Sequence, residues 1–491
     1  MSGTASTPHV ILTLPLLLSM AFVCPRIEAQ VDIQKEYDTF LQEKTQEYEG
    51  FRKKIDSEYE TFLRQAWKAY ETFAPLSLPV RERQRAKAVP STTRREPAHQ
   101  PTTPIGIQRP QRTDDGEKNN NRPSVVPPDH PDCSSLSFYG SMVEVNTNVA
   151  RNLTLTGIQE PHVANVWRVL CNSPHNTFIG DCQAAKEAHH MSDWTYVKFT
   201  QKIGEALYGT DNPDMVAFLQ MFILLKSNYK ARISRVDNHL KVLVPSTSPI
   251  YDMPYIELGG RHYYVVNADP NGSGIVYTYT RDYSDTGEIV DIKLDKAPEF
   301  APTVVPRSLT FDADSTELTI DAAVNQNLID FYRDYPHCDL ELHFHTPMSP
   351  ELRESLYPAL QAAIEGKTQE EAGNLLLDFV QNAFAYKTDS EQFGYEKPNF
   401  LEETFYYPYC DCEDRAMLYA RLVTDLLGLE TVLLDYPGHT ATGVRFPSSI
   451  KGDRVELADG PDYLVCDPTH MGATIGMCMD EYRYVGPEVI F

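Results

Sequence analysis

The sequence predicts an α+β fold in two globular parts, preceded by a long N-terminal helix and a disordered linker. Three observations carry that expectation: a helix-period run followed by short strands near the C-terminus, a similar succession 200 positions earlier (Asp214 under Asp414), and an aromatic repeat near the N-terminus. A chain of 491 residues is long enough for several domains, each burying its own core. The net charge of -25 excludes nucleic-acid binding as a main role, because most of the surface would repel phosphate.

In order along the chain, residues 1–29 read as a signal for export. The apolar run at 10–23 (VILTLPLLLSMAFV) is too short to span a bilayer, and a polar segment ending in Ala29 follows it. The expected location is therefore periplasmic, outer-membrane-associated or extracellular, with no stable membrane span. Leaving Cys24 aside, eight of the nine cysteines are scattered through the rest of the chain, which suits a compartment where disulfides form but specifies no pairing. Only Cys410 and Cys412 are closely spaced, so no zinc site is expected, and no cofactor.

Residues 30–75 repeat every eleven positions: Tyr37, Tyr48, Tyr59 and Tyr70 are in phase, as are Phe40, Phe51, Phe62 and Phe73. A period of about 3.67 residues per turn keeps such a stripe nearly straight along one helix. The stripe calls for a partner, either the globular part or a second copy of the chain. Residues 76–132 are rich in Pro, Arg, Thr and Asn without apolar periodicity, and read as a disordered tether. Residues 133–290 then read as a first α+β domain, 291–350 as a β-rich connecting region, and 351–491 as the domain that carries the chemistry.

In that last domain Asp411-Cys412-Glu413-Asp414-Arg415-Ala416 opens an amphipathic pattern (Leu418, Leu422, Val423, Leu426) that stops at Gly428. Cys412 thus falls in the first turn of a helix, where unpaired N–H groups and the dipole are expected to lower the thiol from its usual pKa of about 8.5. A short strand, the turn Pro437-Gly438 and then His439 follow, and a further strand ends at Asp467-Pro468. A thiol on a helix, an imidazole on a strand and a carboxylate at a strand end can meet when the helix packs on an antiparallel sheet. The candidate catalytic residues are therefore Cys412 as nucleophile, His439 as base and Asp467 as the group that orients the base. Backbone N–H of Cys412 is the default oxyanion donor, with Gln392 and Tyr409 as side-chain candidates.

The runs CEDRA, PGH and CDPTH resemble the Cys, His and Asp boxes of the transglutaminase-like superfamily, over residues 403–471. That resemblance implies a papain-like α+β core, with the triad carried by Cys412, His439 and Asp467. The globular half, with QFGYEKPNF and YYPYCDCEDRA, is also similar to secreted transglutaminase-like proteins of Bacteroidetes. The spacing Cys-x-Asp-x-Ala favours Cys412 over Cys410 as nucleophile. Within 133–290 the same succession recurs without the thiol: Asn212 stands under Cys412, His239 under His439, and Asp269-Pro270 near Asp467-Pro468. It reads as a degenerate second copy. The expected function is a thiol hydrolase, a protease or amidase acting on a protein or peptide through an acyl-thioester. The alternatives are a protein-glutamine transglutaminase and a non-catalytic interaction protein that self-associates through its N-terminal helix.

Overall fold

The computed structural model describes residues 25–76, 84–92, 133–268, 274–284, 286–313, 316–447, 450–458 and 460–491. It is a mixed α and β structure that divides into two units, Met1–Ser57 and Glu58–Phe491. The apolar run at 10–23 and Asp269 lie outside the described residues. No helix among the described residues is long and apolar enough to cross a membrane.

Helix α1 (Pro25–Arg64) makes up the described part of the first unit, and its last turns belong to the second. Within the first unit Tyr37, Phe40, Tyr48 and Phe51 are each a little over half exposed. Lys44 lies over the Phe40 ring and Arg52 over the Tyr48 ring, so cationic side chains cover part of the stripe.

The aromatic phase outlasts the helix. Instead of one helix over 30–75, the chain leaves the helix at Arg64 and forms strand β1 (Lys68–Glu71), paired antiparallel with residues 275–278. Phe73 then stacks on Tyr255, centroids 5.2 Å apart. Pairing with distant strands overrides the local helical preference of this last repeat. The expected linker over 76–132 is corrected in the same way: residues 84–92 are ordered, with β2 (Lys87–Val89) paired to residues 454–456. Residues 77–83 and 93–132 lie outside the described residues.

Two successive halves make up most of the second unit. The first opens with the hairpin β3 (Cys133–Phe138) and β4 (Ser141–Asn146). Helices α2 (Glu160–Cys171), α3 (Asn176–Ala188), α4 (Asp193–Tyr208) and α5 (Pro213–Lys226) follow. Strands β5 (Arg232–Val236), β6 (His239–Pro245), β7 (Tyr255–Leu258), β8 (Arg261–Val265) and β9 (Ile275–Thr278) complete it.

The second half opens with a longer hairpin, β10 (Val304–Ala313) and β11 (Thr316–Asn325). Helices α6 (Gln326–Arg333), α7 (Leu340–His345), α8 (Pro350–Ile364) and α9 (Gln369–Ala383) come next. A connecting stretch holds β12 (Ala385–Tyr386), α10 (Asp389–Gln392), α11 (Leu401–Tyr406) and β13 (Tyr409–Cys410). Helix α12 (Cys412–Leu427) leads into β14 (Thr431–Tyr436), β15 (His439–Val444), β16 (Arg454–Glu456), β17 (Asp462–Cys466) and β18 (Glu488–Ile490). Residues 291–350 are thus not a connector, because their hairpin shares one core with α8, α9 and α12.

The two halves repeat one strand order, which is what an internal duplication expects. The first sheet runs β1-β9-β5-β6-β8-β7 and the second β18-β14-β15-β17-β16-β2, antiparallel throughout. Without β1 and β2, each sheet has the same five strands in the same positions. Each is then closed into a ring by the N-terminal segment. Phe73 and Tyr255 exchange backbone hydrogen bonds of 2.8 and 3.3 Å beside β7, while Ala86 N–H donates to Pro487 O and Val489 N–H to Gln84 O, both at 2.9 Å. Closure removes the exposed sheet edges that would otherwise recruit other strands.

Candidate active site

Helix α12 starts and stops where its sequence dictates. Asp411 is extended, and its N–H donates to Asp414 Oδ2 at 3.4 Å. At the other end Gly428 takes a φ of 65°, accessible at little cost to glycine, and its N–H closes on Thr424 O at 3.1 Å. Ala416, Leu418, Ala420 and Leu422 share a core with Phe379 of α9 and with Leu433, Val444 and Leu464 of the barrel. The helix start is thereby held against β15. Arg415 completes the junction from a buried position, donating to Phe384 O at 2.6 Å and Pro468 O at 3.4 Å.

The imidazole is placed by a hairpin turn. Tyr436 and His439 are cross-strand partners around Pro437-Gly438, and Gly438 has a φ of 75°, the pattern of a type II turn. His439 is 8% exposed and its ring stacks on Tyr482, centroids 5.1 Å apart and 14° from parallel. His439 Nε2 and Asp467 Oδ2 are 2.9 Å apart. Asp467 is 1% exposed, and its Oδ1 accepts N–H bonds from Thr469 (3.0 Å) and His470 (3.1 Å), which fixes the carboxylate plane. Gln381 on α9 holds the same loop: Nε2 donates to the carbonyls of Asp467, His470 and Ala473, and Oε1 accepts from Gly472 N–H. Neither Gln381 nor Tyr482 was signalled by a sequence motif.

The sulfur has a different setting from the one its helix position predicts. Cys412 Sγ donates to Glu413 Oε2 at 3.1 Å, and the N–H of Thr440, next to His439, points at the sulfur. Burial pushes the thiol well up from its ordinary value, and the Glu413 and Asp411 carboxylates push it further. The expected lowering by the helix end is outweighed, because three acidic residues occupy the same first turn and its approach. His439 and Asp467 are in direct contact, then, while the Cys412 S–H is directed at Glu413.

Around that first turn lies a buried acid cluster. One carboxylate oxygen each from Asp389, Asp411 and Glu413 lie within 4.8 Å of one another. Burial, then the charges of Asp411 and Asp414, push Asp389 up to about 8. Burial likewise raises Asp411, Glu413 and Asp414. Asp414 is the best satisfied, accepting from Asn399 N–H at 2.8 Å and Asn399 Nδ2 at 2.6 Å.

No family model, curated protein or solved structure matches the chain. The site is therefore read from its own chemistry. Cys410, the competing thiol, is buried and pushed up to about 12 by that burial. Tyr409 is partly exposed, with Lys387 over its ring. Gln392 carries a buried amide with neither atom hydrogen-bonded. All eight described cysteines are free thiols. In the first half, Asn212 caps α5, and His239 opens β6 as His439 opens β15. His239 bonds to Asp214 at 3.3 Å instead of to a strand-end carboxylate.

Proposed function

We propose that this protein is an exported thiol-dependent hydrolase of the transglutaminase-like type, a protease or amidase with a papain-like core in its second half. The carrying observation is the 2.9 Å contact between His439 Nε2 and Asp467 Oδ2, beside a helix-start thiol addressed by the Thr440 amide. With Nε2 committed to Asp467, Nδ1 is the nitrogen left for the thiol proton. In the proposed reaction the Cys412 sulfur attacks an amide carbonyl as His439 takes its proton. His439 returns that proton to the leaving amine, and water resolves the thioester. Asp467 holds the ring in register.

Two assays test this reading. In the first, a thiol alkylator is followed residue by residue by mass spectrometry. Cys412 is expected to react faster than buried Cys338; equal rates would leave a binding module as the better reading. In the second, a glutamine peptide is incubated with a labelled amine. Stable incorporation lost in Cys412→Ala would replace hydrolysis by cross-linking. The half-exposed aromatic stripe of α1 supports a separate role in self-association. Light scattering of the full chain against a Tyr37→Ser, Phe40→Ser, Tyr48→Ser, Phe51→Ser variant tests it, and a monomer in both would remove it.

A further inference from the structure

A cavity of about 200 Å³ has no part in that reaction, since none of the residues lining it belongs to the triad. It lies where the first half meets the second. Tyr251 enters the wall from the first half, its N–H donating to His337 O at 2.9 Å and its hydroxyl to Asp339 Oδ1 at 2.6 Å. The second half supplies the other rings: Phe400 carries Tyr332 stacked at 4.0 Å between centroids, His343 tilted at 4.3 Å and Tyr335 edge-on at 5.2 Å. Tyr395, half exposed, stacks on His337, so the lining reaches the surface.

Two polar groups in this wall are left over. Tyr335 is 6% exposed and His343 7%, yet neither the Tyr335 hydroxyl nor His343 Nδ1 has a hydrogen-bond partner among the described residues. Both side chains are held neutral: burial raises the phenol well above its ordinary range, while burial and then the charge of Lys397 pull the imidazole down to about 3. Buried hydrogen-bonding atoms without a partner are costly, so a ligand that meets them is favoured. The charges at the cavity, by contrast, are already met. Lys397 Nζ pairs with Glu403 at 2.8 Å and lies 5.3 Å from the Phe393 and Tyr407 rings, so the faces that would hold a ligand cation hold a lysine. Arg333 pairs with Asp330 at 3.0 Å, and exposed Glu396 in the lining adds negative charge, which disfavours an anion.

We propose that this cavity is a recognition site for one neutral aromatic ring that bears a hydroxyl, that is, a phenol. The ring-lined wall favours an aromatic body. An apolar cavity of about 150 Å³ takes up benzene, so 200 Å³ accommodates one ring with a small substituent. A hydroxyl both donates and accepts, and can therefore pair with the Tyr335 hydroxyl or with either tautomer of His343. The same chemistry occurs in free phenols and in the tyrosine side chains of polypeptides. The site stands on the cavity itself and does not rest on the proposed reaction.

The test titrates the full chain with p-cresol and with toluene in a calorimeter. Saturable p-cresol binding is expected, about fivefold or more tighter than that of toluene, because only p-cresol brings the hydroxyl. No saturable p-cresol binding, or equal affinity for toluene, would overturn the proposal. Irradiation with 4-azidophenol then locates the site: labelled peptides are expected to carry Tyr335 or Tyr395, with labelling suppressed by excess p-cresol. Labelling confined to other parts of the chain would overturn the assignment to this cavity. In Tyr335→Phe, which keeps the ring, or in His343→Leu, p-cresol binding is expected to weaken by about three- to tenfold. Unchanged affinity in every variant that keeps its circular dichroism spectrum would overturn the hydroxyl contact. A last arm titrates the peptide acetyl-Gly-Tyr-Gly-amide. Affinity at least equal to that of p-cresol would assign the site to tyrosine side chains of polypeptides, and weaker affinity would assign it to free phenols.

Discussion

The two halves share a strand order, but buried carboxylates are concentrated in the second. Among the described residues, the first half buries Lys226 and Arg232 among aromatic rings: Lys226 lies 5.0 Å from the Trp167 and Tyr283 rings, and Arg232 lies 5.1 Å from Tyr263 while pairing with Asp282 at 2.7 Å. The second half buries Asp389, Glu402, Glu403, Asp411, Glu413, Asp414 and Asp467, together with Arg307 and Arg415. At equivalent points the contrast is sharpest. The N–H of Leu240 donates to Asp214 Oδ1 at 2.7 Å, whereas the N–H of Thr440, 200 positions on, addresses the Cys412 sulfur. A carboxylate thus takes the sulfur's place in the first half and holds His239 at the surface. One strand order thus carries a hydrogen-bonded Asp214–His239 pair in the first half and, under the proposed function, the nucleophile in the second.

The largest expected effect separates the halves outright. Under the proposed function Cys412→Ala should lower turnover by about six orders of magnitude, as loss of a triad nucleophile does. The converse substitution, Asn212→Cys, should create no fast-reacting thiol, because His239 is exposed and already bonded to Asp214. Rapid alkylation at position 212 would erase the distinction between the copies.

Next comes Asp467→Asn, expected to slow turnover by about 10²–10⁴ through loss of imidazole orientation. Asp214→Asn, by contrast, should leave turnover unchanged and cost about 1 kcal/mol of stability, read from urea midpoints. A third test concerns the first barrel alone. Tyr59 is 2% exposed, packs edge-on against Trp167 at 4.7 Å and hydrogen-bonds the Tyr279 hydroxyl. Tyr59→Ala should cost about 3–5 kcal/mol without changing the reactivity of Cys412 per folded molecule.

The smallest effect reports on the acids of the second half. Burial raises the Glu402 carboxyl above its ordinary range, although Oε1 accepts Ser349 N–H at 2.6 Å. A raised folded value favours the protonated form, so its stability contribution is complete below the unfolded pKa of about 4.3 and is lost as pH rises through the folded value. Glu402→Gln should therefore flatten the fall in urea midpoint above that range. An unchanged pH profile would show that this carboxyl does not differ between folded and unfolded states.

Local signals made much of the second half legible. Gly428 ends α12, Pro437-Gly438 sets the turn before His439, and Asp467 follows directly on β17, each a short-range rule acting within a few residues. What escaped the sequence reading was long-range. Asp389 is 22 positions before Asp411, on a helix of one turn with no periodicity to place it, so the acid cluster was not foreseen. The helix start was read as favouring a thiolate because the dipole is a local property; the burial and charge that oppose it belong to the folded site. Strands β1 and β2 were missed because neither has a strand pattern strong enough without its partner, and pairing supplied the order.

Those two strands set the sequence of events during biosynthesis. Arg85 hydrogen-bonds Glu488, 403 residues further on, so this part of the N-terminal ribbon leaves the ribosome long before the segment it must join. The first ring can shut once residues 275–278 emerge, but the second waits for residues 487–489. Loop closure over such a span is slow, and until then the edge of the second sheet stays open to other chains. Maturation of the thiol-bearing half is thus tied to synthesis through residue 489.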